Sequence, residues 1–353
     1  MDVAALLFGH SKALYSTWIF YKPDHLLIDC GEGAATSLGN GGFAIERVLL
    51  THGHIDHISG LPSLLWSRAA GMGDTEKPLE IYYPRDDMFV ADMQLYLERT
   101  ATRLPFALRW IPLDAGDTFA LTANHQPTGS ATGQPKQSGA RGGRRVVTFP
   151  TRHIRGRLTL GYKVVETRRR LKPEYAGLTQ EEISTRARTE GRQSVQSLTE
   201  EYEATLVAFS GDTLPVESQV VQGAELLLHE ATIVDAGERK HQWHATLDEA
   251  VAVASTVRPK ALVLYHISGR YRTVDIADAT CQSAVRHKID FPIWCLYRDR
   301  LMQFWNGEPG PPASHSTKAE PRTGTRQVET KRRRGRSFQQ NADAKSKEKS
   351  PKE

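Results

Sequence analysis

At 353 residues and 39.4 kDa, with 39% hydrophobic residues, the chain is long enough for one large domain or two modest ones and can build a sizeable core. No run approaches the roughly 20 apolar residues of a membrane span, and Val3–Phe8 lacks the cationic start and cleavage pattern of a signal peptide, so a cytoplasmic protein with no membrane partner is expected. The net charge of +5 is placed unevenly: residues 307–353 hold 12 basic against 6 acidic side chains, leaving 34 against 35 in the first 306, so the basicity belongs to the tail rather than to a folded surface.

The elements expected in chain order alternate short strands with helices. Strand character appears at Trp18–Tyr21, Leu26–Cys30, Val48–Thr51 and Glu80–Tyr83, with helices near Ser59–Ala70 and Asp86–Leu104. Residues 123–145 contain no Val, Ile, Leu, Met, Phe, Tyr or Trp and read as a flexible loop inserted in the domain, followed by a strand at Val146–Phe149. Glu166–Ala204, between the strand-like runs Thr159–Val165 and Thr205–Ser210, is charged and helix-favouring and reads as an inserted arm carrying Arg168, Arg169, Arg170 and Lys172. Strands at Glu225–Leu228, Ala261–Leu264, Ile293–Tyr297 and Leu301–Trp305 and helices at Leu247–Thr256 and Thr273–His287 complete one large domain over residues 1–306. Many strands with interspersed helices imply an α/β fold, two sheets covered by helices in a four-layer αββα sandwich, with function at the strand-end loops. From Gly307 onward almost no large apolar residue remains, and 307–353 is expected to be a disordered basic tail. Its Lys331-Arg-Arg-Arg-Gly-Arg336 cluster suits RNA phosphates or a nuclear address as well as a solvated solubility tail.

Cys30, Cys281 and Cys295 are too scattered for a disulfide framework or a cysteine-rich zinc module, so a metal would rest on histidine and carboxylate. Val48-Leu-Leu-Thr-His-Gly-His-Ile-Asp-His-Ile-Ser-Gly60 supplies them: a buried strand ends in His52, His54, Asp56 and His57. A strand end and a tight turn can aim His52 and His54 at one cation and Asp56 with His57 at a second, since imidazole and carboxylate suit zinc and related divalent metals. Three later positions sit at strand ends: His153, Asp212 in Phe209-Ser-Gly-Asp-Thr213, and His266. Together they offer one bridging carboxylate and one histidine per cation, and two cations about 3.5–4 Å apart can hold a hydroxide nucleophile for displacement at phosphorus. Zinc is expected, with manganese or iron admitted by the same donors. Independently, Thr246-Leu-Asp-Glu249 is a capping box opening an apolar helical pattern, which puts His244 just ahead of a helix start, where a carboxylate such as Glu230 can keep it protonated for transfer to a leaving oxygen.

The His-x-His-x-Asp-His run, the Ser-Gly-Asp-Thr strand end and the late histidine resemble the metallo-β-lactamase superfamily. Leu227-Leu-His-Glu-Ala-Thr232, Trp243-His-Ala-Thr-Leu-Asp-Glu-Ala250 and Tyr265-His-Ile-Ser-Gly-Arg-Tyr271, with Leu27-Ile-Asp-Cys-Gly-Glu-Gly33, are similar to the ribonuclease Z family of tRNA 3′-processing endoribonucleases, over roughly residues 26–271. The resemblance implies that His52, His54, His153 and Asp212 hold one zinc, and Asp56, His57, Asp212 and His266 the other. It further implies that Asp56 orients or deprotonates the water, that His244 donates the proton with Glu230 as its acidic partner, and that the substrate is precursor tRNA, cut to free its 3′ trailer by a dinuclear-metal-activated hydroxide. A homodimer also goes with the resemblance. The alternative on the same fold is a metallo-hydrolase of a small phosphodiester, cyclic nucleotide or ester, and an inactive RNA-binding relative is a third class, disfavoured by the complete ligand set. Ser268, Arg270 and Tyr271 follow His266 directly and are expected at the pocket rim, Arg270 for a phosphate oxygen and Tyr271 for a base, or else as a structural ion pair and a packed ring. His10 reads as a turn residue near the site edge, His229 and His241 as structural or peripheral. The chain departs from the family in its opening Leu7-Phe-Gly-His-Ser-Lys-Ala13, in its charged rather than Gly/Pro-rich arm, and in His-Ala-Thr at 244–246.

Overall fold

The strands follow the runs of β-branched and aromatic residues and lie in chain order across two sheets. The computed structural model describes residues 1–71, 77–101, 103–121 and 143–308. The first sheet takes β1 (Leu7–Lys12), β2 (Ser16–Tyr21), β3 (Leu26–Ile28), β4 (Arg47–Leu49), β5 (Leu79–Pro84) and β6 (Leu108–Leu113). The second takes β7 (Thr118–Leu121), β8 (Arg144–Pro150), β9 (Leu160–Leu171), β10 (Thr199–Phe209), β11 (Ala224–Glu230), β12 (Ala261–Tyr265), β13 (Pro292–Tyr297) and β14 (Arg300–Asn306). β3 to β6 run parallel, as do β10 to β13, while β7 to β10 meander antiparallel.

Alternation along the parallel strands builds the layers. Leu26 and Ile28 of β3 face Leu226 and Leu228 of β11 and Val263 of β12 in a core between the sheets. The intervening Leu27 turns outward to pack with Leu61, Leu64 and Leu65 of the helix Leu61–Gly71, and Leu227 turns outward against Leu247, Val251 and Ala254 of the helix Leu247–Val257. Each such aliphatic side chain taken from water contributes about 1.5–3 kcal/mol. The result is the αββα sandwich, with the central parallel strands of both sheets buried on both faces and therefore read in the sequence as continuous apolar runs. All described residues fall in the unit Met1–Gly310. Among them no helix is long and apolar enough to cross a membrane.

Three strands escaped the sequence patterns. β1 carries Gly9, His10, Ser11 and Lys12, so it reads as a loop, yet it pairs residue for residue with β2, His10 opposite Trp18. β6 contains Pro112 and closes one edge of the first sheet, where a missing N–H is tolerated, and β7 is a short edge of the second. The tail from residue 309 and most of the 123–145 segment lie outside the described residues, but Arg144 and Arg145, expected at the end of that loop, begin β8.

The 166–204 segment differs from the expected helical arm. β9 and β10 continue through it as an antiparallel pair, with Thr199 opposite Leu171, and only its tip is helical, at Gln180–Thr189 and Arg192–Ser197. The arginines of this hairpin are matched by glutamates: Arg168 to Glu166 (2.5 Å) and Glu225 (2.7 Å), Arg169 to Glu201 (2.8 Å), and Arg170 to Glu200 (2.8 Å).

Two cross-sheet bonds set the end of β4 against β9. Buried Tyr162 donates from its hydroxyl to the Leu50 carbonyl at 2.5 Å, and the Leu160 N–H donates to Thr51 O at 2.9 Å. Tyr162→Phe leaves that carbonyl short of a donor and is expected to lower the unfolding free energy by about 1–2 kcal/mol. A lowered urea midpoint at unchanged m checks this.

Candidate metal centre

Asp29 and His52 follow β3 and β4, His153 follows β8, Asp212 follows β10, Glu230 ends β11 and His266 follows β12. The strand ends of both sheets thus meet at one point, the place where α/β sheets put ligands. The short helix Ile55–Ile58 supplies Asp56 and His57 and presses onto the end of β3: Cys30 N–H donates to His57 O, and Gly60 N–H to Cys30 O, both at 2.7 Å. The approach is so close that a Cβ on Gly60 would collide with the Gly31 carbonyl oxygen. Asp29 (φ 56°) and His266 (φ 57°) both adopt left-handed backbone, which non-glycine residues keep only where the surroundings over-determine it.

The side chains converge on Asp212 Oδ2. His266 Nε2 lies 3.2 Å from it, His57 Nε2 3.4 Å, His52 Nε2 and His153 Nε2 3.9 Å, and His244 Nδ1 4.0 Å. His54 Nδ1 sits 3.0 Å from His52 Nε2 and 3.1 Å from His153 Nε2, and Asp56 Oδ2 sits 3.4 Å from His266 Nε2. The seven residues read from the sequence as ligands are therefore neighbours, all buried except His54, which is part-buried.

Outer hydrogen bonds fix which nitrogen faces inward. His57 Nδ1 must donate to the Asp29 carboxylate (2.8 Å), and His153 Nδ1 to the Trp243 carbonyl (3.0 Å), because those partners only accept. The Thr51 hydroxyl spends its hydrogen on Asp29 and so accepts from His52 Nδ1 (3.0 Å), while the Thr232 hydroxyl spends its own on Glu230 and accepts from His266 Nδ1 (2.9 Å). Four imidazoles consequently present Nε2 to the centre, a free lone pair in the neutral ring. His57 Nε2 and His266 Nε2 face each other at 3.3 Å, a repulsive contact unless a cation or proton lies between. Buried Asp212 Oδ1 has no hydrogen-bond partner. Donors around a tetrahedral ion at 2.0–2.1 Å stand about 3.3 Å apart, the spacing seen among these nitrogens and oxygens. The donor set thus fits divalent cations, and the bonds behind it are of the kind that orient ligands in metal sites.

Electrostatics follow. Burial opposes the Asp212 charge, but His266 and His57 outweigh it and hold the carboxyl well below the usual range. For Asp56 burial is likewise outweighed, by the His266 hydrogen bond and His57, bringing it to about 2. Burial pushes His52 down, whereas for His57 the Asp212 and Asp29 carboxylates overcome burial and push it up. Glu230 accepts from the N–H groups of Thr213, Thr232 and Ala245, from the Thr232 hydroxyl and from His244 Nδ1 (2.9 Å). That carboxylate overcomes the burial of His244 and raises it to about 9, which favours the protonated imidazole.

The structure also places the remaining expected residues. Ser268 donates its N–H to Thr232 O, whereas Arg270 pairs with Glu238 (3.4 Å) and Tyr271 donates its hydroxyl to the same carboxylate (2.7 Å), so both rim side chains are tied to one another's partner. His229 is buried, accepting from Val216 N–H, and His241 stacks on Trp243. The sequence reading gave no role to Asp29, Thr51 or Thr232, although all three lie inside quoted motifs. It also missed β1, whose Ser11 Oγ accepts from His266 N–H (2.8 Å) and whose following Leu14 N–H donates to Asp56 Oδ2 (2.9 Å). Asp29→Asn removes the charge behind His57 and Thr51 and is expected to weaken metal binding about tenfold, as measured by competition against a chelator.

A beta-lactamase superfamily domain model matches residues 25–267. The chain is 30% identical over 266 residues to the ribonuclease Z of Gemmatimonas aurantiaca, covering 70% of this chain and 77% of that protein. It is 32% identical over 259 residues to the ribonuclease Z of an Exiguobacterium species, covering 69% and 79%. Among solved structures, the metallo-beta-lactamase fold protein YhfI of Bacillus subtilis superposes with a TM-score of 0.51 at 14% identity, over 84% of this chain and 98% of that one, which shows the shared fold. With the matched residues running from β3 to the strand-end histidine after β12, the chain belongs to the beta-lactamase superfamily and, within it, to the ribonuclease Z family.

Proposed function

We infer that the chain is a metal-dependent endoribonuclease that hydrolyses the phosphodiester joining the 3′ trailer to the body of precursor tRNA. The observation that carries this reading is the His244–Glu230 pair, a proton donor held beside the ligand cluster by a buried carboxylate with five hydrogen bonds. A site for carboxyl esters or lactones needs no such second acid; a ribose 3′-oxygen, a poor leaving group, does.

His52, His54, His153 and Asp212 would hold one cation, and Asp56, His57, Asp212 and His266 the other, with zinc suited to the donors and manganese or iron admitted. When bound, the cations supply Lewis acidity at the phosphoryl oxygens and a hydroxide source at neutral pH. The protein's own part is positional. Asp56, held by Leu14 N–H, presents a carboxylate able to take a proton from the attacking water. His244, whose Nδ1 is committed to Glu230, keeps Nε2 for the leaving 3′-oxygen. The water oxygen bonds to phosphorus as the P–O bond to the ribose 3′-oxygen breaks, the 3′-oxygen gains the His244 proton, and the trailer departs with a 5′-phosphate. Proton donation of this kind is worth about 10²–10⁴-fold.

The test is cleavage of end-labelled precursor tRNA carrying a 3′ trailer. A single cut at the trailer junction is expected, abolished in Asp212→Ala with loss of metal. His244→Ala is expected to slow turnover by about 10²-fold or more with metal content retained, as read by elemental analysis. Equal metal loss in both variants would remove the proton-donor role. Asp212-dependent hydrolysis of bis-p-nitrophenyl phosphate without any tRNA cut would favour the small-phosphodiester reading, which the neutralised arginines of the β9–β10 hairpin support.

A further inference from the structure

We propose that the turn after β8 and the start of the helix Met88–Thr100 form a single-stranded RNA clamp beside the metal centre, with Arg155 and Arg157 on the phosphates and Phe89 stacked on a base. The proposal rests on the ribonuclease reading and assigns the substrate grip to this turn instead of the β9–β10 hairpin.

Charge distribution is the first observation. The hairpin arginines at 168–170 each have a glutamate within 2.8 Å, so a phosphate would have to displace a carboxylate. Arg155 and Arg157 are exposed, and among the described residues neither has a carboxylate partner. Their local structure explains why both project: Arg157 N–H donates to Ile154 O (3.2 Å), closing a turn with Gly156 at φ 75°, so that the two arginines flank a glycine whose left-handed backbone the turn requires. Both lie within four residues of His153.

The second observation is a stacking surface one ring from the ligands. Phe89 is 39% exposed, its centroid 6.1 Å from that of His54, and the Arg157 guanidinium lies over its face at 5.0 Å. Asp87 holds the ring in place, capping the helix through Phe89 and Val90 N–H and accepting from Gly53 N–H (2.8 Å) between His52 and His54. An exposed aromatic ring with an unpaired guanidinium, anchored to the same turn as the ligands, is the arrangement that takes an unstacked base and its phosphate without regard to sequence.

The experiment measures binding of a fluorescein-labelled single-stranded RNA decamer to the metal-loaded full chain by anisotropy across a salt series, in the slow His244→Ala background. The basic tail is present throughout and cancels. Arg155→Ala with Arg157→Ala is expected to weaken binding at least about fivefold and to lower the salt slope by about 1.4, the loss of two phosphate contacts on a single strand. Phe89→Leu, which keeps apolar bulk at the helix start, is expected to weaken binding at least about fivefold, and Phe89→Tyr to restore it. Arg169→Ala with Arg170→Ala is expected to bind within about twofold of the parent, the hairpin arginines already being paired. Unchanged binding in the turn and Phe89 variants, at unchanged melting temperature, overturns the clamp, as does a loss confined to the hairpin variant. Binding that depends on Arg155, Arg157 and Phe89 in a parent protein unable to cut precursor tRNA keeps the clamp and discards the tRNA reading alone.

Discussion

One carboxylate oxygen organises this molecule. Asp212 Oδ2 stands within 4.0 Å of five imidazole nitrogens contributed by segments after β4, β8 and β12, within the helix Ile55–Ile58 and ahead of the helix Leu247–Val257. Burying one anion among so many lone pairs costs several kcal/mol unless charge compensates it. The outer bonds make the matter sharper, because Asp29, Thr51, Thr232 and the Trp243 carbonyl take up the Nδ1 protons and leave the centre rich in acceptors. Divalent cations supply the positive charge that such a set of acceptors calls for.

The fold serves that constraint by joining two sheets whose strand ends share one edge of the sandwich. Tyr162 and Leu160 tie β9 to the end of β4, and the Gly60 contact holds Asp56 and His57 against β3. β1 closes the arrangement from outside, since Ser11 supports the strained His266 backbone and the turn at Leu14 caps Asp56. The opening segment is therefore part of the centre's scaffold.

Charge is distributed in three ways. The basic tail accounts for the net +5, the β9–β10 hairpin pairs its arginines with glutamates on the same and neighbouring strands, and the turn carrying Arg155 and Arg157 leaves its cations exposed next to the candidate ligands. Net charge alone would have directed attention to the tail, whereas exposure and pairing direct it to the turn.

The candidate ligand residues, their place at strand ends and the αββα layering were legible in the residues. Parallel strands buried on both faces are continuous apolar runs, and four ligand-type side chains within residues 52–57, at the end of such a strand, would be costly to bury without a cation to hold. The capping box ahead of the helix Leu247–Val257 was equally readable, being a local pattern whose partners are three residues apart. Tertiary structure alone decided the rest. Asp29 meets His57 across 28 residues and Ser11 meets His266 across 255, and no local pattern records such pairings. β1 and β6 exist because neighbouring strands offer them backbone partners, against weak local propensity. The pairing of Arg169 and Arg170 was decided by the register of β9 against β10, which sets Glu201 and Glu200 opposite them, since which charges remain free depends on neighbours that only folding brings together.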